Sequence, residues 1–174
     1  MKLDFPVMLA LLILAAFAQA VIPPFHGGLL ALKLPLLPAV ALYYILDRQK
    51  VMAVFAALWA GIATDAVSGI PAGTSSFGLL FAALVIFGVR RYFPEASWIL
   101  AGLLGAALTA FLVVLQYCVL RGRCGFSAPF YLLSRPLLAL LPLSAAASAA
   151  IVTAARRLEV AAGNVEPKKE IGGQ

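Results

Sequence analysis

An all-α, single-domain protein with six transmembrane helices is the fold class this sequence predicts, and three observations predict it. First, 64% of the 174 residues are hydrophobic and 11% are charged, with a mean hydropathy of +1.04. That is more apolar side chain than one soluble core of this size can hide, so the solvent is lipid. Second, six apolar runs, at residues 5–22, 29–46, 51–67, 74–89, 98–120 and 130–155, each approach the length of about 20 residues that a helix needs to cross roughly 30 Å of hydrocarbon. Third, Ala and Leu dominate these runs and none alternates with period two, which argues against a transmembrane barrel.

The first run follows Lys2 and Asp4 and closes on Ala18-Gln19-Ala20. A basic start, an apolar stretch and a small-residue ending are also the marks of a cleavable leader. Asp4 and Pro6 suit a leader's basic segment poorly, and Val21 and Ile22 carry the run past the would-be cut. A retained span is therefore the expectation, with the leader as its alternative. The second run begins near Lys33 and Pro35 and ends on an aromatic pair, Tyr43 and Tyr44, placed as interfacial aromatics at the inner boundary.

Along the third run, Ala53, Ala57, Gly61, Asp65 and Gly69 recur every fourth residue, which puts small side chains and one acid on a single helix face. In lipid, close approach across such a face drives helix association. Internal packing is the first reading of the stripe and a partner interface the second. The fourth run is the shortest, and Ser75 and Ser76 at its start suit the preceding turn.

The fifth run ends before Arg121 and Arg123, with Cys118 and Cys124 six positions apart. The two arginines are expected in an outer loop, as solvated charge or as contacts for lipid phosphates or an acidic partner. The cysteines are read as free, with a disulfide as the alternative. The sixth run carries Arg135-Pro136 near its outer end, Pro142 as a potential kink, and "SAAASAA", which permits close helix approach. Residues 1–155 thus form the transmembrane domain. Residues 156–174, mixing charge with Gly and Pro, form a polar tail expected to be disordered beyond its first turn.

Basic residues orient the bundle. With a cytoplasmic N-terminus, Lys2, Arg48, Lys50, Arg90, Arg91, Arg156, Arg157, Lys168 and Lys169 fall inside, Arg121 and Arg123 outside, and Lys33 and Arg135 within helices. This asymmetry predicts both termini in the cytoplasm. The net charge of +6 follows from the same pattern and from attraction to anionic lipid, so no nucleic-acid partner is inferred.

Enzyme chemistry needs convergent polar groups, and the chain has one His, two Cys and one acid clearly within an apolar run. No HExxH, CxxC, Walker loop or Gly-x-Ser-x-Gly occurs. His26 sits alone beside two glycines, short of the several ligands a metal needs. Neither enzyme activity nor a cofactor is expected.

Asp65 is the residue that asks for an explanation. At about 1.5 Å per residue it lies roughly 5 Å below Ser68, where the third helix stops, close to the outer interface and away from the midplane an ion relay would use. An acid at a helix C-terminus stands at the wrong end of the dipole, so it faces a cation or turn amides. Arg135 is the favoured cation, because it too needs a partner. Gly69, Pro71 and Gly73 then reverse the chain, Gly by positive φ and Pro by fixing the turn.

A helix ending in Gly-x-x-x-Asp, followed by Ser-Gly-x-Pro-x-Gly and another apolar helix, resembles the third-to-fourth helix segment of the MreD family, rod shape-determining membrane proteins. "LKLPLLPAVALYYILDRQ" resembles that family's second helix. The likeness is strongest over residues 30–93, and the length and layout extend it over most of the chain. One position departs: where the family often has Asp or Asn after the proline of helix two, Leu36 follows Pro35. The resemblance implies a non-enzymatic scaffold of the bacterial elongation machinery in the inner membrane, binding MreC and working with MreB, RodA and a class B penicillin-binding protein. It also implies a fold similar to the substrate-binding subunits of energy-coupling-factor vitamin transporters. Such a subunit is the alternative function, and Trp59, Tyr117 and Arg135 would have to supply its pocket.

Overall fold

The structure is a computed structural model describing residues 4–22, 34–89, 98–124, 131–161 and 163, with the backbone alone described at 4, 124 and 131–136. Six helices follow in order: α1 Asp4–Val21, α2 Leu36–Asp47, α3 Lys50–Ser68, α4 Thr74–Val89, α5 Trp98–Cys124 and α6 Tyr131–Ala161. Among the described residues all regular structure is helical. Three stretches, Lys50–Ser68, Trp98–Arg123 and Leu137–Ala161, are long and apolar enough to cross a membrane, and α1, α2 and α4 are shorter apolar helices.

The ends show where local chemistry sets the boundaries. Helix α3 stops at Gly69, whose φ of 65° gives a left-handed C-cap with its amide on the Asp65 carbonyl, as a residue without Cβ does at no steric cost. Helix α4 begins at Thr74, so Ser75 and Ser76 lie inside its first turn and not in the turn before it. Helix α2 begins only after Pro35, which has no N–H to extend it backwards; residues 29–33 of the expected run lie outside the described residues.

Two helices run past their expected ends. Helix α5 continues to Cys124, so Arg121 and Arg123 occupy its last turn and not an outer loop; cations there sit favourably on the C-terminal dipole. Helix α6 continues to Ala161, taking residues 156–161 from the expected tail. The reason is tertiary, because Glu159 in that extension is fully buried.

The architecture is a core helix inside an open ring of the other five. Helix α2 packs against all five others, and every residue from Leu37 to Leu46 is buried. Around it α1 leans on α3, α3 on α4, α4 on α5 and α5 on α6. The outer helices turn large apolar side chains outward: Leu14 and Phe17 from α1, Phe55 and Trp59 from α3, Phe77 and Leu84 from α4, Trp98 and Leu103 from α5, Leu138 from α6. An apolar core beneath an apolar exterior is the pattern of a bundle solvated by lipid.

Glycines set the closest approaches. A Cβ on Gly61 would strike the backbone Cα and N of Ser76, and one on Gly105 would strike the Ser148 side chain. Backbone-level contact between α3 and α4, and near it between α5 and α6, is what small residues permit in lipid.

Candidate functional site

Asp65 is 2% exposed, and its side chain closes the α3–α4 connection. The Gly73 N–H donates to its Oδ2 at 2.7 Å, and the Ser75 N–H donates to Oδ1 and Oδ2 at 3.0 and 3.2 Å. Those amides open α4, where the first N–H groups of a helix lack intrahelical acceptors. The acid thus stands at the unfavourable end of α3 and at the favourable N-terminal end of α4, capping α4 from another helix.

Turn geometry brings the groups together. Gly73 has φ of 95°, a left-handed conformation that favours Gly. Thr74 bonds back to the Pro71 carbonyl through both its amide at 3.3 Å and its hydroxyl at 2.8 Å. On the far side of α4, the Gln116 amide of α5 donates to Ser75 Oγ at 3.1 Å. One polar cluster therefore ties the C-terminal end of α3, the start of α4 and the C-terminal part of α5.

Of the residues singled out in the sequence, Gly61, Asp65, Gly69, Pro71 and Gly73 are brought together as one turn and seam. Ala53, Ala57 and Gly61 are buried, and Gly61 faces Ser76 of α4, so this part of the α3 stripe is an internal seam. Of the two partners expected for Asp65, turn amides are present; the Arg135 side chain, the favoured cation, lies outside the described residues, as does His26. Arg121 and Arg123 are exposed, and Arg121 Nη1 donates to the Tyr117 hydroxyl at 3.3 Å. Cys118 is free and exposed, while the Cys124 side chain lies outside the described residues.

Of the residues named for a solute pocket, Trp59 and Tyr117 do not converge. Trp59 is 50% exposed on the outer face of α3, whereas Tyr117 is buried beside Val113 and Leu140. A cavity between α4 and α5, lined by residues including Phe81, Val85, Leu104 and Phe111, is apolar throughout, with the two phenylalanine rings stacked at 5.8 Å. It offers a solute no hydrogen-bonding groups.

Two polar anchors were missed by reading the sequence. Gln19 is 2% exposed, and its Oε1 accepts the Leu37 N–H at 3.1 Å, capping α2 from α1. Glu159 accepts the Tyr44 hydroxyl at 2.9 Å and pairs with Arg48, which turns Tyr43 and Tyr44 from expected boundary anchors into buried residues. Spacing carried the signal: Met8, Leu12, Ala15 and Gln19 share one buried face, as do Leu140, Ser144, Ser148, Ala155 and Glu159. Among the described residues no group of three His, Cys, Asp or Glu is placed to hold a metal.

Comparison with protein-family models, curated proteins and solved structures finds no match for the chain. The site therefore speaks through its geometry. It is a hydrogen-bonded helix junction with both carboxyl oxygens committed to backbone donors.

Proposed function

We propose that the protein is a six-span, non-enzymatic scaffold of the bacterial inner membrane that works in cell elongation and holds a single-pass partner of the MreC kind. MreB, RodA and a class B penicillin-binding protein would then join through the same assembly. The observation that carries this reading is the Asp65 junction. The one carboxyl group in the motif shared with the MreD family is held by the Gly73 and Ser75 amides, so the motif's chemistry is the chemistry of shape. A junction this constrained sets the angle between α3 and α4 and thereby presents a fixed outer surface.

Four other polar side chains support the same reading, since Gln19, Gln116, Thr64 and Thr109 each make a hydrogen bond within the bundle. Recognition of a partner would rest on apolar shape. The α3 seam is occupied by α4, whereas Ala146, Ala150 and Ala154 of α6 lie exposed at four-residue spacing, a geometry compatible with a partner helix.

The test is a mild-detergent pull-down of the tagged protein from its own cells, with bound proteins identified by mass spectrometry. Recovery of MreC with elongation enzymes is expected. Recovery of a transporter ATPase pair in their place would replace the scaffold with the vitamin-transporter alternative.

A further inference from the structure

We propose that Arg48, Tyr44 and Glu159 form a latch that sets the register of α6 on α2, holding residues 153–161 in one position against the bundle. Glu159 is fully buried, accepts the Tyr44 hydroxyl at 2.9 Å and pairs with Arg48, whose side chain is 15% exposed. The contact joins residues more than a hundred positions apart, at the C-terminal ends of two helices whose main task is apolar packing. It does not depend on the scaffold reading.

The rest of the buried face of α6 explains why such a device is needed. Between Leu140, which packs with Val113 and Tyr117 of α5, and Glu159, that face consists of Ser144, Ser148 and Ala155, with Ser148 against Gly105 of α5. Ser and Ala present a smooth surface with few deep knobs, and a slide along the axis by one turn, about 5 Å, brings similar small residues into the same places. Glu159 breaks that degeneracy. Moved by one turn, it loses both the Tyr44 hydroxyl and Arg48, leaving an uncompensated acid inside the bundle.

Selectivity and not stability is the role that follows. Desolvating an Arg and a Glu offsets most of their mutual attraction, so apolar side chains of similar size hold the fold equally well without choosing a register. The pair also sits where α6 ends, and terminal turns are the first to open. Tyr43, Asp47 and Arg156 stand close by, so the latch lies in a charged setting at the bundle's edge. The latch thus holds the last turns of α6 in one register among those its small-residue face would accept.

The test uses the full chain in lipid nanodiscs with Cys118→Ser and Cys124→Ser, spin-labelled after Gln49→Cys and Arg157→Cys at two exposed positions, and read by pulsed electron–electron distance measurement. The intact latch gives one narrow distance. Glu159→Gln is expected to broaden it or add a second population displaced by about 5 Å, one helical turn. The exchanged pair Arg48→Glu with Glu159→Arg is expected to restore a narrow distance. Should Glu159→Gln fail to fold, Arg48→Met with Glu159→Leu carries the test, since it is expected to fold normally yet show the broadened distance. A single narrow distance in both Glu159→Gln and the apolar pair would overturn the latch.

Discussion

At Asp65, two helix ends that would each lack something complete one another. The start of α4 has amide donors without acceptors, and the end of α3 supplies an acid that its own dipole does not favour. Asp65→Ala removes the acceptors and leaves the buried Ser75 amide without a partner, a loss of about 3 kcal/mol. Asp65→Asn keeps one carbonyl oxygen and is expected to cost about 1–2 kcal/mol. Thermal unfolding in mild detergent checks the order: wild type above Asn, Asn above Ala. By the same reasoning Gln19→Leu, which strands the Leu37 amide, costs about 1–2 kcal/mol. Asp65 was legible in the sequence because an acid at the end of an apolar run has to be satisfied by something. Its amide partners were legible as one of two options, since Gly-x-Pro-x-Gly promises a turn whose N–H groups point somewhere. Gln19 could be placed on a buried face by its spacing from Met8, Leu12 and Ala15 but not paired, and Gln116 not at all, because an uncharged amide in an apolar run carries no such demand.

Helix boundaries were readable where Gly or Pro punctuates the chain and misread where charge alone was taken as the stop. The α3 and α4 limits follow Gly69 and Gly73 closely. Helices α5 and α6 pass through Arg121, Arg123, Arg156 and Arg157, because a cation near a helix C-terminus is stabilising and Glu159 anchors the extension. Packing between elements gives a paired prediction. Gly61→Ala places a methyl against the Ser76 backbone, which cannot rotate aside, so α3 and α4 must separate at about 1–3 kcal/mol. Gly88→Ala meets nothing within 4 Å and is expected to stabilise α4 by up to about 1 kcal/mol through helix propensity. Opposite shifts in unfolding temperature for these chemically identical changes would locate the seam; equal shifts would deny it.

For the molecule as a whole, hydrophobicity alone was enough to predict helices fit for lipid but not which one lies at the centre. A helix apolar on every side can face lipid or five neighbours, and the sequence reads the same for both. The centre is α2, and the contacts of its two ends fix how the ring runs. Gln19 of α1 reaches the start of α2, and Glu159 of α6 reaches its end. With the short Arg48–Gln49 connection, this puts the ends of α2 and α6 and the start of α3 on one side, and the α3–α4 turn on the other. Substituted-cysteine labelling bears most directly on this arrangement. In a Cys118→Ser, Cys124→Ser background, Gln49→Cys, Ala161→Cys and Ala72→Cys are probed one at a time in intact cells with a membrane-impermeant maleimide, then after permeabilisation. The expected result is that Ala72→Cys labels in intact cells, while Gln49→Cys and Ala161→Cys label only once the membrane is opened. Labelling of Gln49→Cys and Ala161→Cys from opposite sides, or of Ala72→Cys from the same side as Gln49→Cys, would contradict the up-and-down bundle and the pairing of Arg48 with Glu159.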